Sequence, residues 1–298
     1  MTRFTRPMVV AGVNGSPESL AAPRWAATEA TPRHCSLQLV YSAYLPVVGF
    51  PAFGYPLGFV EDMESQGRDL LDRVASMISD EQPGLQVTTA FSRCDPRMAL
   101  VRASEGVALT VVGVLGGGRV HEVLLGSVAL HVAAHGRSPV AVIPFDQDKR
   151  GGPVLVGVDG SAHSEAAVAF AFDEAAVRGV NLVALMAFDG WARQGFASRP
   201  ITVDGSVSQE ERAVLSEQLA GWCDKYPDVQ VDEQVFRGRA ADCLLGYARH
   251  APLQLQPQLI VVGSRGRGGL TGLLIGSTSQ AVIAHATCPL MVVRPSTS

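Results

Sequence analysis

Two glycine-rich segments hold the residues best placed to do chemistry. Gly113-Val114-Leu115-Gly116 is followed by nine residues and then Gly126-Ser127, and Gly263-Ser264-Arg265-Gly266 by nine residues and then Gly276-Ser277. A glycine at the end of a strand lets the main chain come close to a ligand. The glycines that follow (Gly116, Gly117 and Gly118, or Gly266, Gly268 and Gly269) can turn amide N–H groups toward an anion. The Gly-Ser pair then opens a helix, whose unpaired N–H groups and dipole favour phosphate. Arg265 and Arg267 can add positive charge there. In open parallel sheets ligands sit outside the carboxyl ends of the strands, and the first strand of each half ends there too, with Asn14 or Asp159. A carboxylate repels phosphate, so Asp159 is read as facing a sugar hydroxyl or a base edge. The ligand assembled from these parts is a nucleotide, with Asp159 on the nucleoside and the glycine loop and Ser277 on the phosphates. A turn with no ligand would be duplicated just as faithfully, and that bland reading stays open.

The elements that must position these residues occur twice. Val9-Val10-Ala11-Gly12-Val13-Asn14-Gly15-Ser16 matches Val154-Leu155-Val156-Gly157-Val158-Asp159-Gly160-Ser161 at an offset of 145. Thr110-Val111-Val112-Gly113 matches Ile260-Val261-Val262-Gly263 at an offset of 150, and Leu124-Leu125-Gly126-Ser127 matches Leu274-Ile275-Gly276-Ser277 at the same offset. Ser138-Pro139-Val140-Ala141-Val142 likewise matches Cys288-Pro289-Leu290-Met291-Val292. The order is the same in both halves, which marks a tandem duplication. The polar stretch 146–152 ends in Gly-Gly and suits a linker between domains over 1–145 and 153–298.

In the second half strands are predicted near 153–159, 181–187, 229–236, 258–263 and 289–294, and helices near 161–178, 207–225, 239–250 and 276–286. Strands apolar on both faces and separated by helices indicate a parallel sheet covered on both sides. Ser161 is expected to cap the first helix of its half, and Ser16-Pro17 to do so in the other. Pro23 should delay or kink the helix that contains it.

Composition narrows the function classes. The chain has 298 residues, a formal net charge of −4, 47% hydrophobic and 17% charged residues. That is enough apolar material for two packed cores, and it lacks the basic excess of a nucleic-acid or anionic-membrane binder. Lys149 and Lys225 are the only lysines, so a phosphate site built on lysine has little to use. Five scattered cysteines without C-x-x-C spacing suggest reduced thiols and a cytoplasmic protein. The uncharged run 35–60 is broken by Pro46, Pro51, Pro56, Gly49, Gly54 and Gly58, which argues against a membrane span. No export signal is expected.

The pattern G-x-x-G, nine residues, G-S, together with Val156-Gly157-Val158-Asp159-Gly160-Ser161 and Cys288-Pro289-Leu290-Met291-Val292-Val293, resembles the universal stress protein family. The resemblance covers essentially the whole chain and is to the tandem, ATP-binding, mycobacterial-like form. It implies an α/β fold of two Rossmann-like domains, each a five-stranded parallel sheet of order 3-2-1-4-5 flanked by helices. It implies ATP, with or without magnesium, bound at the glycine loops, and an internal pseudo-dimer of the two domains that could pair again as a homodimer. It implies a regulator in stress or dormancy with an unknown protein partner and at most very slow ATP hydrolysis. Carried over, the second site uses Gly157, Asp159, Gly263, Arg265, Gly266, Gly268, Gly276, Ser277 and Thr278. The first uses Gly12, Asn14, Gly113, Gly116, Gly118, Arg119, Gly126, Ser127 and Val128. Asn14 departs from the family's acidic residue, and loss of a charge-assisted bond should weaken that site by up to about tenfold. Two other readings stand beside this one: a slow ATPase or nucleotidyl-transfer enzyme of the same architecture, and a dimer module that binds no nucleotide.

Other motifs fail on spacing. No G-x-x-x-x-G-K-[ST] exists, no G-x-G-x-x-G follows a strand, and no G-x-S-x-G occurs. His121-Glu122 lacks the second histidine of H-E-x-x-H. His131 and His135 lie at i, i+4 without an evident third metal ligand and are read as helix surface or a domain contact. Cys288 is read as a core thiol, and Trp25 and Trp222 as core side chains. The Pro/Gly/aromatic segment 44–60 is either a lid or docking segment, or an ordered surface loop.

Overall fold

The computed structural model describes residues 7–16, 20–44, 58–114, 126–145, 151–188, 209–266 and 274–295. The chain divides into two compact units, Met1–Phe145 and Asp146–Ser298. The first contains β1 (Met8–Val13), α1 (Ala21–Ala30), β2 (Ser36–Ser42), α2 (Phe59–Glu81), β3 (Val87–Ser92), α3 (Pro96–Ala103), β4 (Leu109–Gly113), α4 (Ser127–His135) and β5 (Val140–Ile143). Its sheet is parallel, in the order β3-β2-β1-β4-β5. The second contains β6 (Val154–Val158), α5 (Ala162–Arg178), β7 (Leu182–Phe188), α6 (Gln209–Lys225), β8 (Val231–Arg237), α7 (Ala240–His250), β9 (Leu259–Gly263), α8 (Ser277–His285) and β10 (Leu290–Val293). Its sheet repeats the order as β8-β7-β6-β9-β10, again parallel.

The central strands form because they are runs of apolar, mostly β-branched residues that can be buried on both faces. Val154, Leu155, Val156, Leu259, Ile260 and Val261 are fully buried, as strands covered on both sides require. All nine elements predicted in the second half lie within two residues of those observed at either end. The structure adds a single 3₁₀ turn at Leu253–Leu255. Pro23 does delay its helix: α1 starts at Ala21, so Pro23 sits in the first turn, where a missing N–H costs nothing. Ser161 caps α5, its Oγ accepting the Ser164 N–H at 3.2 Å. Ser16 does not sit at the start of α1, which follows Leu20 without a side-chain cap.

In each sheet the strand order reverses beside the first strand: β1 leads away toward β2 while β4 pairs on its other edge, and β6 and β9 do the same. Loops leaving such neighbours diverge, and a crevice opens at their carboxyl ends. Trp25 is core, at 8% exposure. Trp222 is only half-buried, in a cluster of three rings with Phe172 and Tyr226 whose centres lie 5.5–6.4 Å apart, and Lys225 Nζ is 5.0 Å from its ring centre. Of the segment 44–60, residues 45–57 lie outside the described residues, as does 146–150 of the expected linker.

Candidate functional site

In the second unit β6 delivers the chain to Asp159 at the sheet's carboxyl edge. A tight turn fixes the carboxylate there. Asp159 Oδ1 accepts the Ser161 N–H at 2.9 Å, and the Asp159 N–H donates to Ser164 Oγ at 2.9 Å. β9 ends at Gly263 against the first turn of α5: a Cβ on Gly263 would stand 2.7 Å from the His163 carbonyl oxygen. The chain then passes so close to Asp159 that a Cβ on Gly266 would overlap Asp159 Oδ2. Gly263 is therefore required by close backbone approach, whereas at Gly266 a side chain would displace the Asp159 carboxylate.

The start of α8 is tied to the same place. The Gly276 N–H donates to Ser264 O at 2.7 Å, and Ser279 Oγ donates to Gly263 O at 2.6 Å. No side chain caps α8. Ser277 is exposed and Thr278 half-buried in its first turn. Asp159, Gly263, Arg265, Gly266, Gly276, Ser277 and Thr278 thus gather around one crevice. Gly157 serves packing instead, since a Cβ there would touch Leu244 of α7 at 3.2 Å.

The first unit repeats the frame. Asn14 Oδ1 accepts the Ser16 N–H at 3.1 Å, the counterpart of the Asp159 turn. Gly12 meets Leu100 of α3 at 3.1 Å, as Gly157 meets Leu244. Gly113 is less crowded, with Ala22 Cβ at 3.7 Å. Gly126 is buried before α4, with Ser127 exposed and Val128 half-buried in the first turn. Gly116, Gly118 and Arg119, and in the second unit Arg267 and Gly268, lie outside the described residues.

Two residues at the second crevice escape a sequence reading. His163, in the first turn of α5, accepts the Arg265 Nε–H through Nε2 at 3.1 Å. Arg294 follows β10, next to the strand end where the Ser264 N–H donates to Val293 O at 2.8 Å. Burial pushes the His163 imidazole below its ordinary pKa, Arg265 and Arg294 push it further, and Asp159 opposes them. Burial, then Arg265, also pulls the Arg294 guanidinium down. Only the fold brings a first-turn histidine and residues beyond two later strands together, so their spacing carries no signal.

Elsewhere, His131 and His135 stack with ring centres 4.0 Å apart, and His135 Nδ1 lies 2.9 Å from His131 O. Among the described residues no group of three or more His, Cys, Asp or Glu could hold a metal ion. Cys288 is buried, and burial raises the Cys243 thiol to about 11. Among the described residues no helix is long and apolar enough to cross a membrane.

Comparison with known proteins agrees with this frame. The universal stress protein family model matches residues 7–144 and 152–294. A universal stress protein of Mycolicibacterium smegmatis is 40% identical over 295 residues, which cover 96% of this chain and 97% of that protein. One from Mycobacterium tuberculosis is 39% identical over 297 residues, covering 97% of each. In fold, the chain is similar to a universal stress protein of Archaeoglobus fulgidus, with a TM-score of 0.72 at 19% identity, covering 97% of this chain and 96% of that one. A match over both units, and relatives that align from end to end, lead to one conclusion: the chain belongs to the universal stress protein family, in its tandem two-domain form.

Proposed function

We propose that this protein binds adenine nucleotide, ATP above all, and acts as a nucleotide-dependent regulator in a stress or dormancy response. The observation that carries the reading is the approach of Asp159 to the bare backbone of Gly266, just past the end of β9 and beside the uncapped start of α8. These residues suit the ligand. The Asp159 carboxylate offers charged acceptors to ribose hydroxyls. The glycine main chain leaves room for phosphates where any side chain would intrude. The first-turn N–H groups of α8, at Ser277 and Thr278, face the anion with a dipole contribution of about 0.3–1 kcal/mol. Arg265 adds a full charge. Magnesium would arrive with the nucleotide, held chiefly by phosphate and water.

The reading assigns binding and not rapid turnover. Neither Lys149 nor Lys225 follows a glycine loop, and among the described residues no cluster of three or more carboxylates or other metal ligands stands at the crevice to hold magnesium. Phosphate release slower than about 0.1 per second is expected, against about 10 per second for a typical enzyme. The first unit offers a second, weaker site, because Asn14 supplies a neutral acceptor.

Mass analysis of small molecules released when the freshly purified protein is denatured tests the proposal. Adenine nucleotide is the expected product. Its absence, combined with no saturable ATP binding at millimolar concentration, contradicts the reading.

A further inference from the structure

The second crevice carries more positive charge than a glycine-loop site needs. Arg265 turns back toward α5, where its Nε donates to His163 Nε2. Its Cα lies against Gly276, where a Cβ would be 3.3 Å away. The residue thus links the first turn of α5 to the start of α8. Arg294, just beyond β10, is near enough for its charge to act on both Arg265 and His163. The charged groups that bear on His163 are Arg265, Arg294 and Asp159.

The hydrogen-bond roles in this cluster are fixed. A guanidinium has no acceptor, so Arg265 must donate, and His163 must be neutral with its proton on Nδ1. Its depressed pKa keeps it so at neutral pH. Holding Arg265 by Nε leaves the two Nη groups of the fork for another anion.

We infer that His163 is a positioning residue that makes the second crevice select nucleotides by phosphate number, by aiming the Arg265 fork, beside Arg294, at the anionic tail. The inference rests on the nucleotide reading of this site. Each added phosphate then meets positive charge that is already in place and repels itself when no anion is bound. The first unit lacks the device. At the repeat offsets His163, Arg265 and Arg294 correspond to Glu18, Leu115 and Pro144.

Calorimetric titration of the full chain with ATP, ADP and AMP tests this, following the tighter class of sites. Wild type should prefer ATP over AMP by at least about tenfold, with ADP between them. His163→Ala should shrink that ratio to about threefold or less, chiefly through weaker ATP binding. His163→Gln should restore it, because the Gln carbonyl can accept the same N–H. Arg294→Gln should lower the ratio without affecting the rescue. An unchanged ratio in His163→Ala overturns the inference while nucleotide binding stands. Equal loss of AMP and ATP binding in His163→Ala makes the residue merely structural and overturns it too. If wild type binds no nucleotide at millimolar concentration, the parent reading itself has failed.

Discussion

The described parts of the two crevices share a turn and a strand order and differ in charge. Asn14 and Asp159 sit in the same turn, each accepting the N–H two residues on, at 3.1 and 2.9 Å. The first helices of both units end on the same buried ion pair, Glu29–Arg33 at 2.6 Å and Glu174–Arg178 at 3.1 Å. Yet the second unit surrounds its turn with Arg265, Arg294 and His163, and the first has Leu115, Pro144 and Glu18 at those positions. After duplication the strand order was kept, while the residues around the turn diverged. The same drift shows in the core: the buried Thr110–Ser138 hydroxyl pair, 2.8 Å apart, is replaced by Ile260 and Cys288. The larger, less polar pair fills that part of the core without needing a hydrogen bond.

Breaking the stronger crevice should have the largest effect. Gly266→Ala places a methyl group on Asp159 Oδ2. ATP affinity of the tighter class should fall by at least about a hundredfold in a titration, or about 2.7 kcal/mol, while the weaker class persists. Retained tight binding would show that this backbone approach is not part of the site. Next comes the acidic residue that distinguishes the two turns. Asn14→Asp should strengthen the weaker class by up to about tenfold, and Asp159→Asn should weaken the tighter one by a similar factor. If neither titration moves, the Asn/Asp difference is irrelevant to binding.

Stability should separate the units in smaller ways. Asp95 caps α3, accepting the Arg97 N–H at 2.9 Å, whereas α7 starts after Arg239 without a side-chain cap. Asp95→Ala should cost the first unit about 1 kcal/mol, read by urea unfolding of the whole chain with hydrogen exchange across α3. The Arg97 side chain chiefly, with backbone N–H groups, holds the Asp95 carboxyl down at about 2. A depressed carboxyl contributes stability above its unfolded pKa of about 4 and loses it as pH falls toward the folded value. Protection factors in α3, taken relative to the pH-dependent intrinsic exchange, should fall as pH drops from about 4 to about 2, and Asp95→Ala should remove that dependence. The smallest effect concerns the turn after the first helix. His34 holds φ 53° where the second unit has Gly179 at φ 63°. His34→Gly should therefore stabilise the first unit by about 0.5 kcal/mol, the relief of a side chain in the left-handed region less glycine's entropy. A lower midpoint in the variant would contradict that.

Much of this was legible before any fold was known. Buried parallel strands announce themselves as valine-rich runs, and the repeat confirms each one by its twin. The crevice frame was legible for the same reason, because Gly263, Gly266 and Gly276 repeat the spacing of Gly113, Gly116 and Gly126, with Asn14 standing in the place of Asp159. Residues without periodicity were not. The 3₁₀ turn at Leu253–Leu255 is too short to show a period. Trp222 lies in an amphipathic helix yet faces outward enough to stack with Tyr226. His163 and Arg294 meet only because β6, β9 and β10 end on one edge.

A crystal of the full chain soaked in millimolar ATP and magnesium tests the central claim most directly. The account predicts nucleotide in the second unit, with its ribose on Asp159 and its phosphates running past Gly266 to the start of α8. Weaker density is expected beside Asn14. Two empty crevices, or a nucleotide bound away from Asp159 and α8, would contradict it.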